Sequence, residues 1–447
     1  MILTLVVFAV AVVLWTCTPL DDTFVALAAV VALLLFGVLP ASALAVLGGS
    51  TTWLLIAAFV LAGGVSASGL PARLATSLVG RARSVRGLMH LTAFALLLTA
   101  FFVPSTSGRA ALTLPVHRAL RVNARVSRAL GVLFPSVILL TAVATLVGAG
   151  AHLITSALLE QATGEGIGFG QWMLLGLPLA VVSAHVTAEV VLWLFTTRAD
   201  RAEPLTGQAE PLDPSDEPTV VLAARSEGPL PGDPCSNSPR QHRQFPALTR
   251  PEITSLVIVG IVSAGWLTES WHHVPPEVTA LAGAVAITAP RLGTTTLKAA
   301  FADIPWSLLL FMAATTMLGS ALVSSGATHT LATLISPSHL LPTVIAVSLL
   351  AHLVIQSRSA RSSVLVPIVI PLAAAAGLNP AALAFASTAA AGFCHTTTAS
   401  AKPVALFAGA YSPRDLLKLS AVLAPITGAL VLACAVLLWP HLGLPLK

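Results

Sequence analysis

Residues 104–115 read PSTSGRAALTLP, and residues 357–367 read SRSARSSVLVP. Ser105, Ser107, Arg109 and Pro115 of the first stretch recur as Ser357, Ser359, Arg361 and Pro367 of the second, each pair 252 positions apart. Apolar residues align with one another cheaply. Serine, arginine and proline at fixed spacing inside apolar surroundings do not, so the pair marks an internal duplication. Upstream, Trp53 in TTWLLIAAFVLAGGVSASG matches Trp306 in IPWSLLLFMAATTMLGSALVSSG at a separation of 253.

The surroundings of both stretches are those of a membrane protein. Hydrophobic residues make up 56% of the chain and charged residues 9%, where soluble domains carry about 25% charge. Mean hydropathy is +0.90. Apolar runs fall at roughly 1–19, 23–40, 51–70, 88–103, 129–150 and 171–196, then at 253–271, 277–290, 305–325, 338–356, 362–376, 381–394, 403–411 and 419–440. Between the two sets lies a Pro-, Asp-, Glu-, Arg- and Ser-rich segment, 198–250, with no hydrophobic periodicity and too little apolar surface to fold. The expected fold is all-α and polytopic. Two repeats, 1–197 and 251–447, share about ten transmembrane helices and two re-entrant hairpins, at about 88–117 and 338–378, and 198–250 is a flexible linker.

Charge placement gives an expected topology. Arg73, Arg81, Arg83 and Arg86 precede the first hairpin, and Arg118, Arg121, Arg125 and Arg128 follow it. A crossing helix would strand one cluster outside, whereas a hairpin returns both to the cytoplasm. The second hairpin is flanked by His339 and Asn379 without lysine or arginine, as suits one opening outward. The halves then run in opposite orientations, the inverted-repeat pattern of secondary transporters. The same loops explain the net charge of +5 without nucleic acid, and they make 198–250 cytoplasmic in a cell inner membrane. Four scattered cysteines have no metal-ligand spacing, and 2–17 lacks the basic start of a signal peptide, so it reads as a retained helix.

Few charges remain at membrane depth once loops are removed: Arg109, Arg358, Arg361, Lys402 and the acid Glu189. Each costs at least about 2.5–3.5 kcal/mol there, so each needs a partner or a function. Four cations against one acid point to a bound small anion. Ser105, Thr106 and Ser107 precede a fresh helix, as do Ser357, Arg358 and Ser359, so free N–H groups and hydroxyls would face that anion from two tips. A polar break follows each hairpin. Thr145, Gly148 and His152 mark the first, and Thr397, Thr398, Ser400 and Lys402 the second. Broken helices at matching places in two halves are the strongest sequence pointer to a transport site. His152, His185, His352 and His395 are candidate proton carriers, and a structural role is the ordinary one for each. No metal-enzyme spacing, Walker loop or GxGxxG is present, so no cofactor is expected beyond Na⁺ or H⁺ as coupling ion.

At these motifs the chain resembles the divalent anion/sodium symporter family, which contains dicarboxylate, citrate and sulfate carriers and antiporter relatives. PSTSGRAALTLP is similar to the Pro-Ser-Asn-Thr-Ala-Arg tip of its citrate and dicarboxylate antiporter branch, and FAGAYSPRDLLKLSAVLAP to its final segment. The resemblance implies a dimeric, elevator-type transporter with scaffold and transport domains, lipid around it, and a di- or tricarboxylate substrate. Sulfate is the alternative within the family. An arsenite or cation/proton exchanger is the alternative outside it, and an integral-membrane enzyme lacks a visible nucleophile–base pair. Two departures stand out. Thr106 and Arg358 replace the tip asparagines that the family uses for substrate and sodium. A guanidinium beside Na⁺ costs about 4 kcal/mol at 4 Å and an effective dielectric of 20. Exchange or proton coupling is therefore expected, with the Arg358 fork meeting the anion directly.

Overall fold

A computed structural model describes residues 2–18, 20–103, 105–120, 122–202, 247–325, 339–355, 357–398 and 400–447. Most of the expected linker, 203–246, lies outside the described residues, as do Pro104, 326–338, Gln356 and Ala399. The described residues contain helices and no strand. In the first half these are α1 (Ile2–Cys17), α2 (Asp22–Leu35), α3 (Ser50–Ala67), α4 (Leu70–Val79), α5 (Val85–Phe102), α6 (Thr106–Ala119), α7 (Ala124–Thr141), α8 (Gly150–Thr163), α9 (Phe169–Phe195) and α10 (Arg198–Ala202). The second half continues with α11 (Arg250–Leu267), α12 (Glu269–His272), α13 (Pro276–Ile287), α14 (Leu297–Ala302), α15 (Trp306–Ser324), α16 (Leu340–Leu350), α17 (Arg358–Ala375), α18 (Pro380–Ala390), α19 (Lys402–Leu406) and α20 (Pro413–Ala433). Six apolar segments, including 124–144 and 169–195, are long enough to cross a membrane, and seven shorter apolar helices accompany them among the described residues.

Short polar residues fix where the helices start. Ser105 accepts from the Gly108 N–H and caps α6; Ser357 accepts from the Ala360 N–H and caps α17. Ser84, Asn123 and Asn379 cap α5, α7 and α18 in the same way. Each such cap satisfies an orphan donor and contributes about 1 kcal/mol.

Packing pairs in one half have counterparts in the other. α2 packs on α15, and α3 packs on α13. α5 lies against α7 and α9, as α16 lies against α18 and α20, and α6 meets α19 as α17 meets α8. Two groups emerge, α1–α3 with α11–α15 and α5–α9 with α16–α20, and α15 joins them by packing on α8 and α17. An aromatic ladder threads the second group: His152 stacks on Trp172 at 4.9 Å, Trp172 meets the edge of Phe385 at 4.7 Å, and Phe385 meets Trp439 at 4.8 Å. Arg128 on α7 grips Asp415 on α20 with two nitrogens, Nε to Oδ2 at 2.7 Å and Nη2 to Oδ1 at 2.5 Å, and so ties the halves at another point. Such bidentate pairs carry geometric specificity as well as energy.

The apolar run 129–150 is broken where Thr145 and Gly148 mark an interruption in the sequence. α7 stops at Thr141 and two 3₁₀ turns, Ala142–Ala144 and Leu146–Gly148, precede α8. Gly148 is what this break requires. A Cβ there would fall inside the Ala142 carbonyl oxygen.

Candidate functional site

The two tips come together. A cavity of about 640 Å³ is walled by Ser105, Thr106 and Ser107 at the start of α6 and Ser357, Arg358 and Ser359 at the start of α17. Gly150, Ser400 and Lys402 join them from the two breaks, and Trp15, Asp21 and Asp22 from the α1–α2 elbow. Eight residues expected at the site therefore line one space: the six of the tips, Ser400 and Lys402.

Arg109 does not. It is fully buried one turn below the first tip. Its Nε donates to Thr99 Oγ1 at 2.9 Å, Nη1 to the Ile138 carbonyl at 3.0 Å, and Nη2 to the Leu96 carbonyl at 2.6 Å and Thr141 Oγ1 at 2.8 Å. The reason lies in the end of α7. A helix ending inside apolar surroundings leaves its last carbonyls without partners, and its dipole places partial negative charge there. Arg109 supplies the missing donors. In this structure its charge is spent on α5 and the end of α7, off the cavity wall.

Arg358 shares that task from the other half. It lines the cavity, but its Nη1 donates to the Leu139 carbonyl at 3.3 Å and its Nη2 to His152 Nε2 at 3.0 Å. The adjacent carbonyls Ile138 and Leu139 are thus capped by one arginine from each tip. In this structure the fork is engaged by protein. The pairing also fixes His152. Its Nδ1 faces the Thr145 carbonyl at 3.0 Å and must carry the hydrogen, leaving Nε2 to accept from Arg358. In this arrangement His152 is a neutral spacer, and Thr145, whose Oγ1 donates to the Ala100 carbonyl at 3.1 Å, anchors it to α5.

The second half lacks this arrangement. Arg361 is fully buried off the cavity wall, and none of its three guanidinium nitrogens has an acceptor among the described residues. The counterpart break is held otherwise: the Thr397 N–H donates to Ser400 Oγ at 2.9 Å, and the Thr397 and Ser400 hydroxyls pair at 2.8 Å. Thr397 and Thr398 are not on the cavity wall, nor are Thr145, Gly148 and His152. His352 hydrogen-bonds the Leu349 carbonyl and Thr396 Oγ1, each at 2.6 Å, while buried His395 has no hydrogen-bond partner at either nitrogen among the described residues.

The acids also fall differently. Glu189 lies away from the cavity, its side chain 45% exposed, and takes Arg86 Nη2 at 2.7 Å and His90 Nε2 at 2.6 Å. His90 in turn pairs with His185 through their Nδ1 atoms at 2.9 Å. The cavity acids are Asp21 and Asp22, which sit between two apolar runs and so count as loop in a sequence reading. Against Arg358 and Lys402 they leave the lining formally neutral. No sequence signal marks them; the fold brings the elbow beside the tips, where Thr23 Oγ1 donates to the Ser307 carbonyl at 3.1 Å.

Comparison with known proteins agrees with this architecture. The family model described as "Citrate transporter" (CitMHS) matches residues 11–390. The chain is similar in structure to the YdaH transporter of Alcanivorax borkumensis, with a TM-score of 0.57 and 17% sequence identity over 99% of this chain and 98% of that one. No curated protein sequence matches.

Proposed function

The chain belongs to the citrate transporter (CitMHS) family, and from that premise we propose that this multi-pass secondary transporter carries small di- or tricarboxylates, citrate among them, between its two hairpin tips. The observation that carries this reading is the shared cavity, where six tip residues and Lys402 surround one space of a size suited to a small ligand. Hydroxyls and the N-termini of α6 and α17 offer donors to carboxylate oxygens, and Lys402 offers a charge not engaged by a backbone carbonyl cap.

In this reading α5–α9 with α16–α20 form the transport domain of two inverted repeats, and α1–α3 with α11–α15 the scaffold of a dimer in the inner membrane. Movement of the first group past the second gives alternating access of the elevator type. The 198–250 linker is cytoplasmic. Coupling runs by exchange or by protons. Arg358 stands at the second tip, and fixed positive charge there opposes Na⁺.

The cavity acids Asp21 and Asp22 are the observation that favours a rival, a cation/proton exchanger. Uptake into proteoliposomes separates the two. Labelled citrate, sulfate and arsenite would be offered with and without sodium and proton gradients. The expected result is carboxylate uptake that persists in choline buffer. Ser107→Ala and Ser359→Ala should each raise the half-saturating concentration about three- to tenfold, the loss of one hydrogen bond of about 0.5–1.5 kcal/mol. Strict sodium dependence, or wild-type affinity in both variants, contradicts the assignment.

A further inference from the structure

We propose that Asp22 is the protonation site that couples anion binding to pH, because in this conformation its carboxylate occupies the place of a substrate carboxylate at the second tip. The inference rests on the carboxylate-transport reading above. Asp22 is the first residue of α2, in the group that packs with α15, while its partners belong to the other group. The Ser357 hydroxyl is its hydrogen-bonding neighbour, and the Lys402 ammonium is its countercharge. All three line the cavity.

The elbow that presents Asp22 is held firmly. Trp15 Nε1 donates to the Asp22 carbonyl at 3.1 Å, and the Asp21 carboxylate takes the Thr23 and Phe24 N–H groups at 2.9 and 3.1 Å. Asp21 is therefore committed to capping α2, whereas the Asp22 side chain projects free of its own helix. The charged groups facing Asp22 are Asp21 on its own elbow and Lys402 on α19. Arg358, on the same wall, is turned to Leu139 and His152.

A carboxylate that shares the cavity with Ser357 and Lys402 competes with a carboxylate ligand for the same donors. Two like charges in one small cavity also repel. A proton from the aqueous phase, bound to Asp22 as COOH, removes the negative charge and frees Lys402 for the substrate. Proton and anion then bind with mutual advantage, and by reciprocity each raises the affinity for the other.

The test is citrate binding to purified, full-length protein from pH 5.5 to 8.0, with wild type, Asp22→Asn and Asp21→Asn compared at each pH so that titration of citrate itself cancels. Asp22→Asn is expected to bind about tenfold or more tightly than wild type at pH 8.0, with the difference narrowing as pH falls. Asp21→Asn retains a good helix cap and leaves Asp22 in place, so its affinity should still rise as pH falls, with the profile displaced toward lower pH because a neighbouring negative charge is gone. The thermal midpoint of each variant reports folding independently. An Asp22→Asn/wild-type ratio that stays constant across pH, with citrate bound by both, overturns the coupling role while leaving the transport reading intact. Citrate binding by none of the folded proteins overturns both.

Discussion

Arg109→Ala is expected to lower stability by at least about 3 kcal/mol, enough to deplete folded protein from the membrane. Four acceptors receive hydrogen bonds from this one guanidinium, two carbonyls and two threonine oxygens, all away from water. Buried acceptors stripped of a charged donor lose about 1–3 kcal/mol each, and only part is recovered by relaxation. Thermal unfolding in detergent provides the readout. Arg109→Lys keeps the charge but not the fork, so an intermediate loss is expected. What separates this from a substrate role is affinity. Because Arg109 is not on the cavity wall, folded Arg109→Lys should bind citrate within about threefold of wild type. A large fall in affinity with an unchanged midpoint would return Arg109 to the binding site.

Lys402→Gln should do the reverse. Lys402 lines the cavity and faces Asp22. A unit charge about 4 Å from a carboxylate contributes up to about 4 kcal/mol at an effective dielectric of 20, and a hydrated cavity reduces this. The expected loss is about ten- to a hundredfold in citrate affinity, or about 1.4–2.7 kcal/mol. The thermal midpoint should stay close to wild type, since Gln retains most of the stem and no buried acceptor is orphaned. Uptake or equilibrium binding checks the first expectation and thermal unfolding the second. Unchanged affinity would mean that Lys402 serves only Asp22.

The contrast between these two cations shows what the sequence can and cannot convey. The Ser-x-Ser-x-Arg-x5-Pro repeat located both tips, because serine at a helix start has a local physical meaning that needs no tertiary knowledge. It also led to their meeting in one space, as the cavity shows. It could not distribute the positive charge. Arg109 and Arg361 occupy matching positions, yet one has four acceptors and the other none among the described residues. The difference depends on where α7 ends, and the apolar run 129–150 hides that end because a 3₁₀ break of Ala, Val, Leu and Gly is as greasy as a helix. Asp21 and Asp22 were missed for a related reason. Two acids between apolar spans look like a solvated turn until the elbow is seen pinned to Ser307 beside the tips.

The central claim is that one anion is held by both hairpin tips at once. It is tested most directly by alkylation protection, with Thr106→Cys and Ser359→Cys introduced separately into protein lacking Cys17, Cys235, Cys394 and Cys434. Both new thiols should be shielded by citrate with the same half-protecting concentration, since a single ligand between the tips covers both. Protection of one tip without the other, or at clearly different concentrations, would contradict the account.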